Sequence, residues 1–428
     1  MPVAAPRKGT LIVRLLGRTV GRLDYSSHHN EMRFSYDPEY LADSMSMPIS
    51  RSLPLRSEPF DTETTTVFFE NLLPPDQVRR KLGPILHVSR HNIFGFLEAL
   101  GGDCAGAISL WPEDTPQEEE SAARLEMLDE DAAGMVLKSL RKRPLYVNGV
   151  AGYRISGSGA QNKLIARIAD GRIALPLFGM PSTHIIKPPA EDYADSVFNE
   201  FFSMSLAARL GLKTAKCGLM RIKGDTYYWT ERYDRESVGG EVRRLHQEDF
   251  CQALGVSGEM KYESEGGPSF ASCMKAMQEM KFSLADRLAF IDRMIFNFLI
   301  GNADAHGKNS SILYRQKGGR GLAPIYDVMS TLVYPSLSGD GAMSIGGAKR
   351  FADVRRENFA LMAREAGMRP ALALGRLDAI ASRMLHHAES LAQELATEWP
   401  SDVYEKIVSV ISSQLKQIAD YSTSSHPS

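Results

Sequence analysis

One junction constrains the fold of this chain more than any other feature of its sequence. Leu288, Ile291, Ile295, Phe298 and Leu299 recur at helical spacing and form one apolar stripe. The stripe stops at a glycine and runs into Gly301-Asn302-Ala303-Asp304-Ala305-His306-Gly307-Lys308-Asn309, and after a Gly-rich break comes Ala323-Pro324-Ile325-Tyr326-Asp327. A helix that must bury one face therefore carries a polar loop with Asp304 and Asn309 to one fixed place. A second carboxylate, Asp327, comes after a strand-like segment.

Phosphoryl transfer needs such a set: a carboxylate to orient and deprotonate the attacking hydroxyl, and oxygen ligands to hold Mg²⁺ against the phosphates of ATP. Protein kinases place an Asn five residues after the catalytic Asp and a second Asp further on, which is the spacing of Asp304, Asn309 and Asp327. Asp304 reads as the base, and Asn309 and Asp327 as metal ligands. Asp and Asn also cap local turns, and an isolated Asp-x-x-x-x-Asn is more often only that. The features upstream reverse the balance.

The first of these is Gly157-Ser158-Gly159-Ala160-Gln161-Asn162-Lys163, flanked by Tyr153-Arg154-Ile155 and by Leu164 to Ile168, which reads as a strand–turn–strand loop. Gly157 and Gly159 carry no Cβ and let backbone N–H groups approach phosphate oxygens, while Lys163 adds a cation. It is not a Walker A sequence, and a plain tight hairpin is the competing reading. The second is Lys187, on the short strand Thr183-His184-Ile185-Ile186-Lys187, with Glu200 on the next helix as its counter-ion, as in the Lys–Glu pair of kinases. A surface lysine at a strand end is the alternative. Trp229 to Arg235 runs off a further strand, where an adenine can meet backbone groups and a ring. His306 is open between a nucleotide-side role and an ordinary loop histidine.

The chain has 428 residues, beyond the roughly 250–300 at which a single core stops growing, so a second lobe is expected. A hydrophobic share of 43%, a charged share of 24% and a net charge of -2 are those of a globular protein without bulk attraction for nucleic acid. Cys104, Cys217, Cys251 and Cys273 are dispersed, without the spacing of a disulfide framework or zinc site, and read as thiols of a reducing compartment. No apolar run approaches the roughly 20 residues that span a bilayer, and no apolar segment succeeds the basic residues near Met1. A cytoplasmic protein without membrane contact is expected.

The fold class expected is α+β: a two-lobed, protein-kinase-like fold with an N-terminal α+β subdomain and a mostly helical C-terminal lobe. Residues 1–112 form the first domain, with a hairpin from Thr10 to Leu23, helices near Thr65 to Leu72, Arg79 to Leu82 and Asn92 to Leu100, and a strand at Ala105 to Trp111. Residues 113–240 form the β-rich lobe, entered by an acidic linker from Pro112 to Glu120 and a helix at Asp129 to Leu140. Residues 241–428 form the helical lobe, including Ala371 to Leu395 and Val403 to Tyr421.

These motifs carry a resemblance. Tyr153-Arg154-Ile155-Ser156 leading into Gly159-Ala160-Gln161-Asn162-Lys163, Thr183 to Lys187, Asn199-Glu200, Glu231-Arg232-Tyr233-Asp234-Arg235, Gln247-Glu248-Asp249, Lys261-Tyr262-Glu263-Ser264-Glu265-Gly266-Gly267-Pro268 and Gly301 to Asn309 resemble, in order, the motifs of the HipA family of serine/threonine kinase toxins. The resemblance covers almost the whole chain. It implies ATP and Mg²⁺ as cofactors and a serine of a protein as phosphate acceptor, with an aminoacyl-tRNA synthetase such as glutamyl-tRNA synthetase as target, and hence slowed translation and persistence. It also implies a HipB-like helix-turn-helix antitoxin as partner, through which DNA is met indirectly in co-repression.

Carried onto this chain, the resemblance places Lys187 on the phosphates, Glu231 and Tyr233 at the adenine hinge, Asp234 toward the ribose, and His306, Lys308 and Tyr326 around the nucleotide. It places Asp304 as base, Asn309 and Asp327 on metal, and Ser156 as the serine autophosphorylated to switch the kinase off. Ser158 supplies a second hydroxyl in the same loop. The chain departs from the family in Gly157, where a bulkier residue is familiar, and in Asn162, where an acidic one is common. A small-molecule kinase of aminoglycoside or choline type and a catalytically silent co-repressor are the competing functions; the intact set of Lys187, Asp304, Asn309 and Asp327 argues against the latter.

Overall fold

The alternation of Thr10 to Leu23 becomes a hairpin. A computed structural model describes residues 8–28, 31–115, 122–315 and 319–419. The strands Lys8–Leu15 and Arg18–Ser26 pair antiparallel, with Leu15 opposite Arg18, and Glu31–Tyr36 and Ile108–Pro112 complete a four-stranded sheet. The period of two puts Leu11, Val13, Leu23 and Phe34 inside. The helices Thr62–Glu70, Asp76–Leu86 and Ile93–Leu100 add Phe68, Phe69, Leu82 and Phe96 to the same core. Asp61 and Asn92 cap the first and last of these, accepting from the N–H groups of Thr64 and Gly95.

A second sheet has six strands in the order Arg124–Met127, Arg172–Leu177, Leu164–Ala169, His184–Lys187, Asp225–Glu231, Cys217–Ile222. Its inward residues Leu164, Ile173, Leu175 and Ile186 join the core of the first sheet. The described residues of 1–188, 220–259 and 313–319 make one compact unit around this core.

The described residues of 189–219, 260–312 and 320–428 make the second unit, which is mostly helical. Its frame is Ser196–Arg209, Leu284–Ile300, Pro370–Glu398 and Val403–Ala419, which pack on one another. Phe202 stacks on Tyr404 at 5.4 Å, and Phe270 on Phe290 at 5.3 Å. Among the described residues no helix is long and apolar enough to cross a membrane. Tyr421, at the end of the expected last helix, and 116–120 of the acidic stretch lie outside the described residues.

Two expectations need correction. The Gly-rich loop is not a strand–turn–strand: a strand comes after it, but the chain before it makes only a single parallel bridge, Ile155 to Asp103. The backbone there is drawn aside by contacts with the first sheet's subdomain, Ser156 N–H donating to Asp103 O at 3.2 Å and Asp103 N–H to Arg154 O at 3.0 Å. The Leu284–Ile300 helix is likewise not buried on one stripe. Leu288 is only half-buried, whereas every residue from Phe290 to Ile300 is buried, including Asp292, Arg293 and Asn297. Asp292 pairs with Arg376, Arg293 donates from both Nη atoms and Asn297 accepts from Asn302, partners that the helix's own periodicity does not report.

Candidate active site

Within the second unit, the Leu284–Ile300 helix starts at Ser283, which caps Asp286 N–H, and ends at Gly301 with φ +73°. Its buried polar residues brace the loop beyond its C-terminus. Arg293 donates to Ser310 Oγ at 2.9 Å and to Ala323 O at 2.7 Å, and Asn297 accepts from the Asn302 amide at 3.0 Å. The loop then closes on itself: Asp304 N–H donates to Asn302 Oδ1 at 3.2 Å, His306 N–H to Asp304 O at 2.9 Å, and the Asn309 side chain to the same oxygen at 2.9 Å.

The Asp327 segment is tied to this loop. Thr331 Oγ1 accepts from Ala303 N–H at 2.8 Å and donates to Gly301 O at 3.1 Å. The Asn199 amide grips Ser330 from both sides, donating to its carbonyl at 2.9 Å and accepting from its N–H at 2.8 Å. Asp327 is exposed and adopts φ +57°, a left-handed conformation that Asp tolerates better than most residues. Tyr326 OH donates to Lys308 O at 2.8 Å and meets Ser311 Oγ at 2.6 Å. The structure thus brings Asp304, His306, Lys308, Asn309, Tyr326 and Asp327 together in one unit.

The electrostatics differ sharply between neighbours. The Asp304 side chain is 46% exposed and that of His306 is 6% exposed, with His306 Nε2 3.7 Å from Asp304 Oδ1. Burial pushes the imidazole down to about 4, so His306 is neutral near pH 7. Its Nδ1 is buried without a hydrogen-bond partner among the described residues. Tyr262, which the reading of motifs did not place in the site, donates its OH to Asp304 Oδ1 at 2.6 Å.

The remaining candidates lie in the first unit. Ser156 is buried and donates from Oγ to Leu72 O at 2.5 Å. Ser158 is half-buried, and Gly159 and Ala160 form the exposed tip, with Gln161 and Asn162 half-buried behind it. Gly159 has φ +96°, which a side chain would strain. Gly157 faces Ile165, whose Cδ1 lies 2.5 Å from where a Cβ would sit. Lys163 is buried and turned back under the loop, donating to Ser158 O. It is part of the loop's scaffold in this conformation. Lys187 is 5% exposed, opposite Tyr228 in the sheet, with Nζ 5.7 Å from that ring's centroid. Glu200 is buried on its helix in the second unit.

Glu231 ends its strand opposite His184, and Tyr233 OH donates to Gln247 Oε1 at 2.5 Å. Asp234, expected to face a ribose, has other partners: it accepts from Gly106 N–H at 2.6 Å and Arg232 at 2.8 Å, and pairs with Arg235 at 3.1 Å. Burial alone would raise its carboxyl, but Arg232 and Arg235 hold it below the usual range. Asp103 anchors the same cluster, pairing with Arg232, Arg235 and Arg244 at 3.3, 2.8 and 3.1 Å. Together these pin the strand end carrying Glu231 and Tyr233. The alternating Arg and Asp of Glu231 to Arg235 were a visible signal; Asp103, far away in sequence, was not.

Comparison with known proteins agrees with this architecture. A family model described as the HipA-like C-terminal domain matches residues 155–422, and one described as the HipA N-terminal domain matches 11–111. A Sinorhizobium fredii protein named putative kinase Y4mE is 41% identical over 397 residues, covering 91% of this chain and 92% of its own. The serine/threonine-protein kinase toxin HipA of Shewanella oneidensis is 29% identical, covering 78% of each chain. A solved complex of HipA, HipB and operator DNA from Shewanella oneidensis contains a chain that superposes with a TM-score of 0.83 at 25% identity, over 96% of this chain and 97% of its own. That likeness extends over both units, whose α+β architecture is the protein-kinase-like fold. The order of motifs, the fold and a family model spanning more than half the sequence agree, and the chain belongs to the HipA family.

Proposed function

We propose that this protein is an ATP-dependent serine/threonine protein kinase whose base is Asp304. The observation that carries the reading is the closed Asp304–Asn309 loop, joined through Thr331 and Asn199 to the segment bearing Asp327. Asp304 receives the proton of the acceptor hydroxyl as the new O–P bond forms, and the bond from the γ-phosphorus to ADP breaks. The donor set suits a hard cation, since Asn309 and Asp327 offer oxygen ligands. Mg²⁺ held there supplies charge neutralisation on the phosphates. His306, neutral and with Nδ1 unpartnered, accepts a hydrogen bond from the nucleotide side; Lys308 and Tyr326 support it. On the first unit, Lys187 aligns phosphates, the loop from Gly157 to Lys163 offers backbone N–H groups, and Glu231 and Tyr233 meet the adenine. Asp234, engaged by arginines, fixes this strand end.

The relatives' names, a serine/threonine-protein kinase toxin and a HipA–HipB–operator DNA complex, support a serine or threonine acceptor and a HipB-like partner; the synthetase target, its effect on translation and the loop phosphate extend the proposal on the motif resemblance alone. A serine of a protein, in an aminoacyl-tRNA synthetase such as glutamyl-tRNA synthetase, receives the phosphate, and translation slows until cells persist. A HipB-like antitoxin binds the protein and brings it to operator DNA as co-repressor. Ser156 or Ser158 takes a phosphate in cis and disables the loop. Incubation of the full chain with Mg²⁺ and radiolabelled ATP, alone, with purified aminoacyl-tRNA synthetases and with aminoglycoside or choline, tests this. Label on a synthetase serine and on the loop is expected. Label only on small hydroxyl compounds, or none, overturns it.

A further inference from the structure

The proposed chemistry gives the stretch Lys261 to Pro268 no role as base, metal ligand or nucleotide contact, yet it reaches Asp304. Tyr262 OH donates to Asp304 Oδ1 at 2.6 Å, and the Tyr262 ring stands edge-on to His306 with centroids 5.5 Å apart. The tyrosine is built in rigidly. The carbonyl of Tyr262 accepts from Glu265 N–H at 3.0 Å and Gly267 N–H at 2.9 Å, closing a tight turn. At Gly267 a Cβ would lie 2.7 Å from that carbonyl oxygen, so only glycine lets the chain double back so closely. Glu263, the next residue, is clamped in turn: its carboxylate accepts from Ser344 N–H at 2.6 Å and Ser344 Oγ at 3.0 Å, on the strand Asp340–Ile345. That strand is itself bound to the loop of the base, Ala342 N–H donating to Ala303 O at 2.8 Å.

A carboxylate rotates about its Cβ–Cγ bond unless something holds it, and the loop contacts with Asn302, His306 and Asn309 engage the main-chain N–H and oxygen of Asp304 rather than its carboxylate. The Tyr262 phenol reaches the carboxylate, and it does so as a donor, because burial and the adjacent Asp304 hold it protonated well above its usual range. We infer that Tyr262 is a positioning residue for Asp304: it occupies Oδ1, fixes the plane of the carboxylate, and leaves Oδ2 as the single oxygen that meets the acceptor hydroxyl. Glu263 and Ser344 hold Tyr262 in place for that task. The inference rests on Asp304 being the base, and it adds a requirement for orientation that the metal ligands and the nucleotide loop do not supply. Misplacing a reacting group by about 1 Å costs up to about 10²-fold in rate.

The test uses the full chain and three variants, Tyr262→Phe, Glu263→Gln and Ser344→Ala, with Mg²⁺ and radiolabelled ATP as probe and self-labelling as readout. Tyr262→Phe keeps the ring against His306 and removes only the hydroxyl. It should lower kcat about 10- to 100-fold while KM for ATP stays at the parent value. Glu263→Gln and Ser344→Ala should lower kcat less, and add little once Tyr262→Phe is present. A readout without nucleotide accompanies this: the loss of melting temperature caused by Tyr262→Phe should shrink in an Asp304→Ala background, because the bond has already gone. Unchanged kcat, a change in KM alone, or strictly additive melting shifts overturn the inference. A faster Tyr262→Phe enzyme also overturns it, since the phenol would then be blocking the acceptor's place. A parent protein that transfers no phosphate removes the base itself and with it both readings, whereas an active parent matched by Tyr262→Phe removes this one alone.

Discussion

The Asn309 side chain donates to the main-chain oxygen of Asp304 at 2.9 Å, so the spacing between the proposed base and the proposed metal ligand is a closed turn held by its own second member. In the proposed mechanism Asn309 therefore has two tasks, and its other amide atom, Oδ1, is the one offered to a cation.

Asp304→Ala and Asp327→Ala should each abolish phosphate transfer while leaving a folded protein, because Asp304 is 46% exposed and Asp327 lies on the surface of its unit. Loss of acid–base help alone costs about 10²–10⁴-fold. Radiolabel transfer beside a circular dichroism melt checks this, and near-parent labelling by folded Asp304→Ala would refute the assignment.

Lys187→Met should lower the transfer rate by at least about 10-fold, while the methionine keeps the apolar stem beside Tyr228. Initial rates over a range of ATP concentrations measure it. A parent-like rate makes Lys187 a structural lysine only.

Phosphate on Ser156 adds about -1.5 to -2 charges near pH 7 where Oγ is now buried against Leu72 O. Ser156 cannot take it up without leaving this contact, so its phosphorylated form should be cleaved by protease between Gly157 and Lys163 faster than the parent. Ser158 is already half-exposed and should be labelled without that change. Peptide mass spectrometry over time, on the parent, Ser156→Ala and Ser158→Ala, distinguishes them; no phosphate on either removes self-inactivation through this loop.

Glu248 gives a pH signature. Its buried carboxyl accepts from Ser50 Oγ and Tyr314 OH, both at 2.5 Å, and from Arg51 N–H at 3.1 Å, yet burial outweighs these bonds and raises it from 4.5 to about 7. Between those values the folded protein keeps a proton that the unfolded chain has released. The stability it contributes is fully present below 4.5 and is lost as pH rises through about 7. The ceiling is about 3 kcal/mol. Glu248→Gln should therefore gain melting temperature over the parent at about pH 8.5 but not at about pH 5. A gap that does not vary with pH shows the carboxyl to be ionised throughout.

Asp103→Ala should be among the most damaging single changes outside the base and its ligands, because it leaves Arg232, Arg235 and Arg244 buried together without their shared anion. Removing one partner of a buried ion pair costs about 3–5 kcal/mol. Urea titration measures the loss, and ATP affinity should fall with it, since the strand end carrying Glu231 and Tyr233 is no longer pinned. A loss below about 1 kcal/mol would make the cluster an ordinary surface network.

The sequence by itself determined what depends on near neighbours. The Thr10 to Leu23 hairpin, the helices starting at Asn92, Asp129 and Ser283, and the turn from Asp304 to Asn309 all rest on periodicity, caps and contacts a few residues apart. The family was legible for the same reason, since its motifs are short stretches in a fixed order. Tertiary structure alone decided the rest. Tyr262 reaches Asp304 across 42 residues, Arg232 reaches Asp103 across 129, and Ser50 reaches Glu248 across 198. None of these partners is marked by local spacing, because a buried charge or hydroxyl takes whichever donor or acceptor the topology brings to it, and its desolvation cost enforces the pairing only after the chain has folded. Asp234 shows the consequence: its place in a motif suggested a ligand, and only the fold revealed that Arg232 and Arg235 pack against it.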